Sequence, residues 1–245
     1  MSALNYKLSS YKNRVVVVTG GNGNMGRAII KKFKSYGAKC IAIDLNGNSN
    51  VIKCNLTNEK ELKSVFEKIS KLNKITDVIH AAGTIVVGTI KNSTLKEFNN
   101  NIDNNLLTAY LVGKISSTKI INGGSLIFIS SQAALKGAKY WGIYSLSKAA
   151  ILRLSETLAN ELSNKKIRVN SVCPGDVEGN MMKYAIKKIA KFSNKKESIV
   201  YNNYISNIPL KRFAKPSEIA DACFYLSNSK YITGTTHLVD GGENS

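Results

Sequence analysis

Arg14-Val15-Val16-Val17-Val18-Thr19-Gly20-Gly21-Asn22-Gly23-Asn24-Met25-Gly26 decides how the fold is read. The β-branched run at 14–19 reads as a buried strand. Behind the glycines, residues 25–36 read as a helix that stops at Gly37. A strand that turns through glycines directly into a helix meets three demands. The turn is tight, the backbone comes close to a pyrophosphate, and the helix packs against its strand. The helix N-terminus then offers free N–H groups and the positive end of its dipole to the phosphates. Gly21-x-Gly23-x-x-Gly26 alone says little, but in the first strand–turn–helix unit it points to dinucleotide binding.

Outward from this unit the alternation continues, with no internal repeat or linker-like stretch. Strands are expected at 40–44, 51–54, 77–81, 125–130, 168–172 and 236–239. Helices are expected at 59–72, where Leu62, Val65, Phe66 and Ile69 recur at helical spacing, and at 144–163 and 216–226. Residues 95–119 carry one or two helices, and 180–207 are partly helical. The strands are nearly all apolar, as expected where helices cover both faces of a parallel sheet. The pattern predicts an α/β fold: a Rossmann-like, doubly wound parallel sheet in three layers, with residues 1–245 as one domain. Ligands bind such a sheet at the carboxyl ends of its strands. The loops after Thr19, Asp44, Asn55, Ala81, Ser130 and Cys173 should hold the site.

Composition narrows the function. Of 245 residues, 43% are hydrophobic and 21% charged, with three prolines, which suits a packed core. The longest aliphatic run, Val15 to Val18, is far short of the ~20 apolar residues of a membrane helix. Residues 1–12 alternate polar and apolar, which speaks against a secretory signal. Cys40, Cys54, Cys173 and Cys223 are widely spaced. That argues against a metal site or a disulfide framework and for a reducing cytoplasm. The net charge of +19 comes from 35 Lys+Arg against 16 Asp+Glu. Only five are arginines, and with abundant Asn and Ile the bias suggests drift in an AT-rich genome. Base readout favours arginine and aromatic platforms, and neither clusters here, which argues against nucleic acid as the primary ligand. A basic surface favours anionic small molecules or acidic partner proteins.

Two further groups carry chemistry. Asp44 ends the second strand. An acid there binds both ribose hydroxyls of NAD and repels the extra phosphate of NADP, so NAD(H) is preferred over NADP(H). Tyr144 and Lys148 lie four apart at the start of a helix, on one face. An adjacent ammonium is expected to lower the tyrosine pKa from about 10 towards neutrality. Tyr144 is then a usable acid or base for an alcohol–ketone pair. Ser131, at the end of the fifth strand, can donate to the substrate oxygen.

With Ser131 after Ile-Ser, Tyr144-Ser-Leu-Ser-Lys148, Arg168-Val-Asn-Ser-Val-Cys-Pro174-Gly175, Gly234 and Asp240-Gly241-Gly242, the chain resembles the small, single-domain branch of the short-chain dehydrogenase/reductase family. The likeness covers essentially the whole chain. It implies Tyr144 as general acid/base, Lys148 as the group that tunes it and holds the nicotinamide ribose, and Ser131 as the carbonyl anchor. Asn105 matches the helix asparagine that holds a relay water. The cofactor is implied to contact Thr19, Gly20, Asn22, Gly23, Asn24, Met25 and Gly26. Further contacts are implied at Asp44, Leu45, Asn55, Leu56, Ala81, Ala82, Gly83, Tyr144, Lys148, Pro174, Gly175 and Val177. The likeness also implies a homotetramer or dimer built through helices at about 105–120 and 144–163.

The chain departs from that pattern in several places. Asn24 stands where the small branch has a glycine, so the spacing Gly20, Gly23, Gly26 is similar to the extended branch; a left-handed Asn24 would restore the turn. Asn55 replaces an adenine-binding Asp. His80-Ala81-Ala82-Gly83 replaces Asn-Asn-Ala-Gly, with His80 read as a buried strand-end residue. Gly179 replaces the Thr that binds the cofactor carboxamide. Six lysines (Lys183, Lys187, Lys188, Lys191, Lys195 and Lys196) mark 180–207 as a lid with a solvated face, or one that closes over an anionic substrate. The expected activity is NAD(H)-dependent interconversion of a secondary alcohol and a ketone. A cyclic diol is one substrate class, since Asp44 and the stretch from Pro174-Gly175 to Met182 resemble dihydrodiol dehydrogenases. A sugar or polyol is another. A 3-oxoacyl thioester on acyl carrier protein and a non-catalytic nucleotide-binding scaffold are the alternatives.

Overall fold

The computed structural model describes residues 11–244, so the reading of residues 1–12 lies almost wholly outside it. Seven parallel strands form one sheet among the described residues: β1 (Val15–Thr19), β2 (Lys39–Asp44), β3 (Val51–Lys53), β4 (Ile75–His80), β5 (Ile120–Ile129), β6 (Arg168–Pro174) and β7 (Thr236–Val239). Their order is β3-β2-β1-β4-β5-β6-β7. The chain runs outward from β1 to β3, then crosses back to lay β4 against the other side of β1. That reversal opens a crevice at the carboxyl ends of β1 and β4.

Side-chain alternation along the strands builds the layers. Val17 of β1 and Leu126 and Phe128 of β5 enter one core with Leu62 and Phe66 of α2 (Glu59–Leu72). The same core takes Val112 of α4 (Thr108–Ser116) and Ile151 of α5 (Gly142–Glu161). Val16, Val18, Ile127 and Ile129 face the opposite core, against Phe33 of α1 (Asn24–Ser35) and Phe224 of α8 (Pro216–Asn228). Both faces are thus covered, as the apolar strands require.

The predicted bounds hold for α2 and β7 and differ elsewhere. Strands β4 and β5 begin at Ile75 and Ile120, before the expected starts at 77 and 125. Residues 95–119 resolve into α3 (Leu95–Ile102), a wide π turn at Asp103–Leu107, and α4. The 180–207 segment is two helices, α6 (Asn180–Ser193) and α7 (Glu197–Asn207). Met182, Ile186 and Ile189 of α6 pack with Val87, Val200 and Phe213 in a third, smaller core. Among the described residues no helix is long and apolar enough to cross a membrane.

Candidate active site

The glycine turn is built by exclusion of side chains. Gly20 has φ +72°, and a Cβ there would lie 2.6 Å from the Ala82 nitrogen. A Cβ on Gly26 would lie 2.1 Å from the Gly20 carbonyl oxygen. Gly23 donates its N–H to that oxygen at 3.0 Å and stands immediately before α1. Asn24 is the first residue of α1 and is not left-handed, which corrects the expectation: the left-handed residue is Gly20. The Asn24 side chain instead faces the second departure. A Cβ on Gly179 would meet Asn24 Nδ2 at 2.4 Å. The amide of Asn24 therefore fills the space beside the glycine that replaces the family's threonine.

Asp44 is tied to this turn. Its Oδ2 accepts from the Asn22 backbone N–H at 2.9 Å and its Oδ1 from that of Asn46 at 3.3 Å. A cavity of about 340 Å³ opens beside it, lined by Gly20, Leu45, Asn55, Leu56, Ala82 and Gly83 among others. Asn55 Oδ1 accepts from Thr57 N–H and Oγ1–H at 3.1 and 2.8 Å. Asn22 Nδ2 donates to the Asn46 carbonyl. Thr19 is buried, its Oγ1 2.8 Å from Nδ1 of His80. Burial, and then the Lys148 charge, push His80 down to about 3. It is a neutral strand-end residue, as read.

A second cavity, of about 510 Å³, continues past Asn22, Asn24, Met25 and Gly26 to Pro174, Gly175 and Val177. A third, of about 530 Å³, lies beyond it towards α6 and α7. Ser131, Trp141, Tyr144, Gly175 and Asp176 line both, so they form the junction between them. Ser131 Oγ accepts from the Ala133 N–H at 3.1 Å. Lys148 lies underneath, only 4% exposed, with Nζ donating to the Ile129 carbonyl at 3.0 Å and 5.7 Å from the Tyr144 ring centre.

The expected depression of the tyrosine is not what this geometry produces. Burial pushes Tyr144 up to about 12, with the Ser131 hydrogen bond opposing it. Burial brings Lys148 down to about 8. Both groups lose water, which disfavours the charged form of each, and the ammonium is turned to a backbone carbonyl.

Asn105 sits in the π turn and is fully buried. Its Oδ1 accepts from Thr84 N–H at 2.8 Å, and Nδ2 donates to the Thr84 carbonyl at 3.0 Å and to Ser147 Oγ at 3.1 Å. A Cβ on Gly83 would lie 2.7 Å from Asn105 Oδ1 and 3.3 Å from Lys148 Nζ. The side-chain amide therefore braces the loop after β4 against α5, next to Lys148. Of the six lysines between 183 and 196, only Lys195 lines the third cavity, while Lys183, Lys187, Lys191 and Lys196 face solvent.

A family model described as enoyl-(acyl carrier protein) reductase matches residues 21–244. The human 3-oxoacyl-[acyl-carrier-protein] reductase is 33% identical, over 94% of this chain and 98% of its own. The chain belongs to the short-chain dehydrogenase/reductase family. It is an oxidoreductase of that family, whose members use nicotinamide cofactors. The FabG reductase of Buchnera aphidicola subsp. Acyrthosiphon pisum is also 33% identical, over 92% of this chain and 95% of its own. The ligand-free aldohexose dehydrogenase of Thermoplasma acidophilum superposes with a TM-score of 0.85 at 28% identity, covering 96% of this chain and 95% of that one. An NAD+-bound xylitol dehydrogenase shares the fold, with a TM-score of 0.90 at 24% identity and coverage of 95% and 99%.

The glycine cradle and the Asp44 carboxylate fit such a cofactor, since side chains at Gly20 and Gly26 would close the approach. One residue of the site escaped sequence reasoning. Asp176, absent from the residues singled out above, stands at the junction with Tyr144. Its place two residues after Pro174 was the available signal.

Proposed function

We propose that this reductase-family chain interconverts a secondary alcohol and a ketone with NAD(H), acting on a cyclic diol, sugar or polyol. The observation that carries the reading is the convergence of Ser131 and Tyr144 on the junction of two cavities, with Lys148 buried beneath. Asp44, aimed into the first cavity and pinned to the glycine turn, supports a diphosphate dinucleotide without a ribose phosphate. Thr19, Met25, Leu45, Leu56, Ala81 and Val177 complete that proposed contact set, and Asn55, with its oxygen taken by Thr57, would offer its amide nitrogen to the adenine.

A bound nicotinamide supplies or accepts the hydride at the carbinol carbon. Ser131 Oγ donates to the carbonyl oxygen and orients it. Tyr144, held protonated by its raised pKa, donates its proton to that oxygen as the C=O bond becomes C–O–H. Lys148 fixes the ribose and returns a proton to Tyr144. Asn105 holds the backbone turn that carries the relay to solvent. Residues 1–245 act as one domain, with 180–207 as the lid that excludes water. The four free thiols support a cytoplasmic setting, and α4 and α5 supply the homotetramer or dimer faces.

A second reading has its own support. The human and Buchnera relatives are named for 3-oxoacyl-[acyl-carrier-protein] substrates, and Lys136, Lys139 and Lys195 at the third cavity would attract an acidic carrier. The test is titration with NADH and NADPH, then turnover of Tyr144→Phe. NADH should bind more tightly. The variant should lose about 10²–10⁴-fold in kcat while keeping NADH affinity. Equal turnover would sink the mechanism, and binding of neither cofactor would favour a scaffold.

A further inference from the structure

Several polar groups around the third cavity are tied to one another. Gln132 Nε2 donates to Glu243 Oε2 at 2.7 Å, and Asn244 Nδ2 donates to Gln132 Oε1 at 2.9 Å. Trp141 Nε1 donates to Tyr204 Oη at 3.2 Å. Asp176 differs. Its Oδ2 is buried and, among the described residues, has no hydrogen-bond partner. Its backbone is locked, because its carbonyl accepts from the Ala214 N–H at 2.9 Å and Val177 next to it bridges Ala214. The side chain therefore has a fixed origin at the junction where Ser131 and Tyr144 meet both cavities. Its charge is felt at Tyr144 and at Tyr204.

We infer that Asp176 is a specificity-determining acceptor, binding a hydroxyl on the carbon next to the one that Tyr144 and Ser131 address. This rests on the alcohol–ketone reading and deepens it: the preferred substrate is a vicinal diol or polyol, not an isolated secondary alcohol. A buried carboxyl oxygen without a partner beside the reacting carbon costs free energy until a donor reaches it. A substrate bearing that donor relieves the cost, and one lacking it does not. The carbon next to the ketone of a 3-oxoacyl thioester is a methylene, which offers no hydrogen-bond donor to this oxygen. The lysines Lys136, Lys139 and Lys195 lie at the exposed outer wall of the same cavity, so they do not satisfy Asp176.

The experiment uses a pair of substrates that differ by one hydroxyl, cis-cyclohexane-1,2-diol and cyclohexanol, with NAD+ and the whole chain. Wild type should favour the diol. Asp176→Ala should lose about 10- to 150-fold in kcat/KM on the diol, the range for a hydrogen bond to a charged group, and change less than about threefold on cyclohexanol. Asp176→Asn, which keeps an acceptor oxygen, should recover part of the diol rate. NADH affinity should be unchanged in both variants. Equal losses on the two alcohols, or an unchanged preference for the diol, would overturn the assignment while leaving the dehydrogenase reading intact. Weakened NADH binding with the preference preserved would also overturn it, moving Asp176 to the cofactor carboxamide. A wild type that oxidises neither alcohol but reduces a 3-oxoacyl thioester would remove the polyol reading and the assignment together.

Discussion

Asp44 commits both carboxylate oxygens to backbone N–H groups, those of Asn22 and Asn46, and so faces the first cavity in one orientation. A fixed negative charge discriminates better than a mobile one, because its repulsion of a phosphate is not relieved by rotation. Asp44→Ala should therefore weaken NADH and strengthen NADPH, shrinking the ratio of their affinities by about 10-fold or more, the scale of one lost charged hydrogen bond. Fluorescence titration with each cofactor reads this directly, and an unchanged ratio would remove Asp44 from cofactor choice. The position of this acid was legible in the sequence, since an apolar strand announces its own end. The protonation of Tyr144 was not. Four-residue spacing places Lys148 near it, but burial dominates both pKa values, and burial is not a property of the helix.

At the scale of elements, the turn between β1 and α1 is the most constrained piece. Gly26 packs directly on the Gly20 carbonyl, so Gly26→Ala must push α1 away from the turn. NADH affinity should fall at least about 30-fold, or about 2 kcal/mol, and the melting temperature should drop. Gly137→Ala is the control, because a Cβ there meets nothing within 4 Å, and it should leave both values unchanged. The glycine spacing was readable, but the partner of each glycine was not. Asn24 and Gly179 looked like two separate losses, yet they are 155 positions apart and share one space. Residues 95–119 show another limit. Apolar spacing supports a helix on either side of Asp103–Leu107, but the extra residue of a π turn changes no local pattern strongly enough to be seen. That turn is what brings Asn105 beside Lys148.

The whole molecule divides its sheet into two ends. The carboxyl end holds the site. The amino end holds an ion pair between a half-buried guanidinium and a buried carboxylate, in which Arg14 Nε and Nη2 donate to Asp77 at 3.0 and 2.6 Å and Ser227 Oγ donates to the same carboxylate. Arg168 closes this end by donating to the carbonyls of Leu226 and Ser227 at 2.5 and 2.7 Å. Asp77 is fully buried, and removing it strands Arg14 and the Ser227 hydroxyl. Asp77→Ala should cost about 2–3 kcal/mol in unfolding free energy, below the full cost of breaking a wholly buried pair because Arg14 keeps some water and its Ser227 contacts. The kcat per folded molecule should hold, because the pair lies at the opposite end of the strands from Tyr144. Denaturant unfolding together with turnover at a permissive temperature separates the two effects. A stable variant with low kcat would show that the two ends are coupled.

The sequence by itself determined what depends on near neighbours along the chain. Strand and helix periods, the glycine turn, Asp44 at a strand end and the Tyr144–Lys148 pair are all encoded within a few residues, and backbone geometry carries them unchanged into the fold. Tertiary structure alone decided what depends on burial and on distant partners. It turned Lys148 towards Ile129, placed Asn24 against Gly179, and left Asp176 Oδ2 unpartnered at the junction, where burial and then the Glu243 charge push its carboxyl up to about 7. Charge in a protein interior answers to the water removed around it, and that is set only when segments far apart in the chain close over the same cavity.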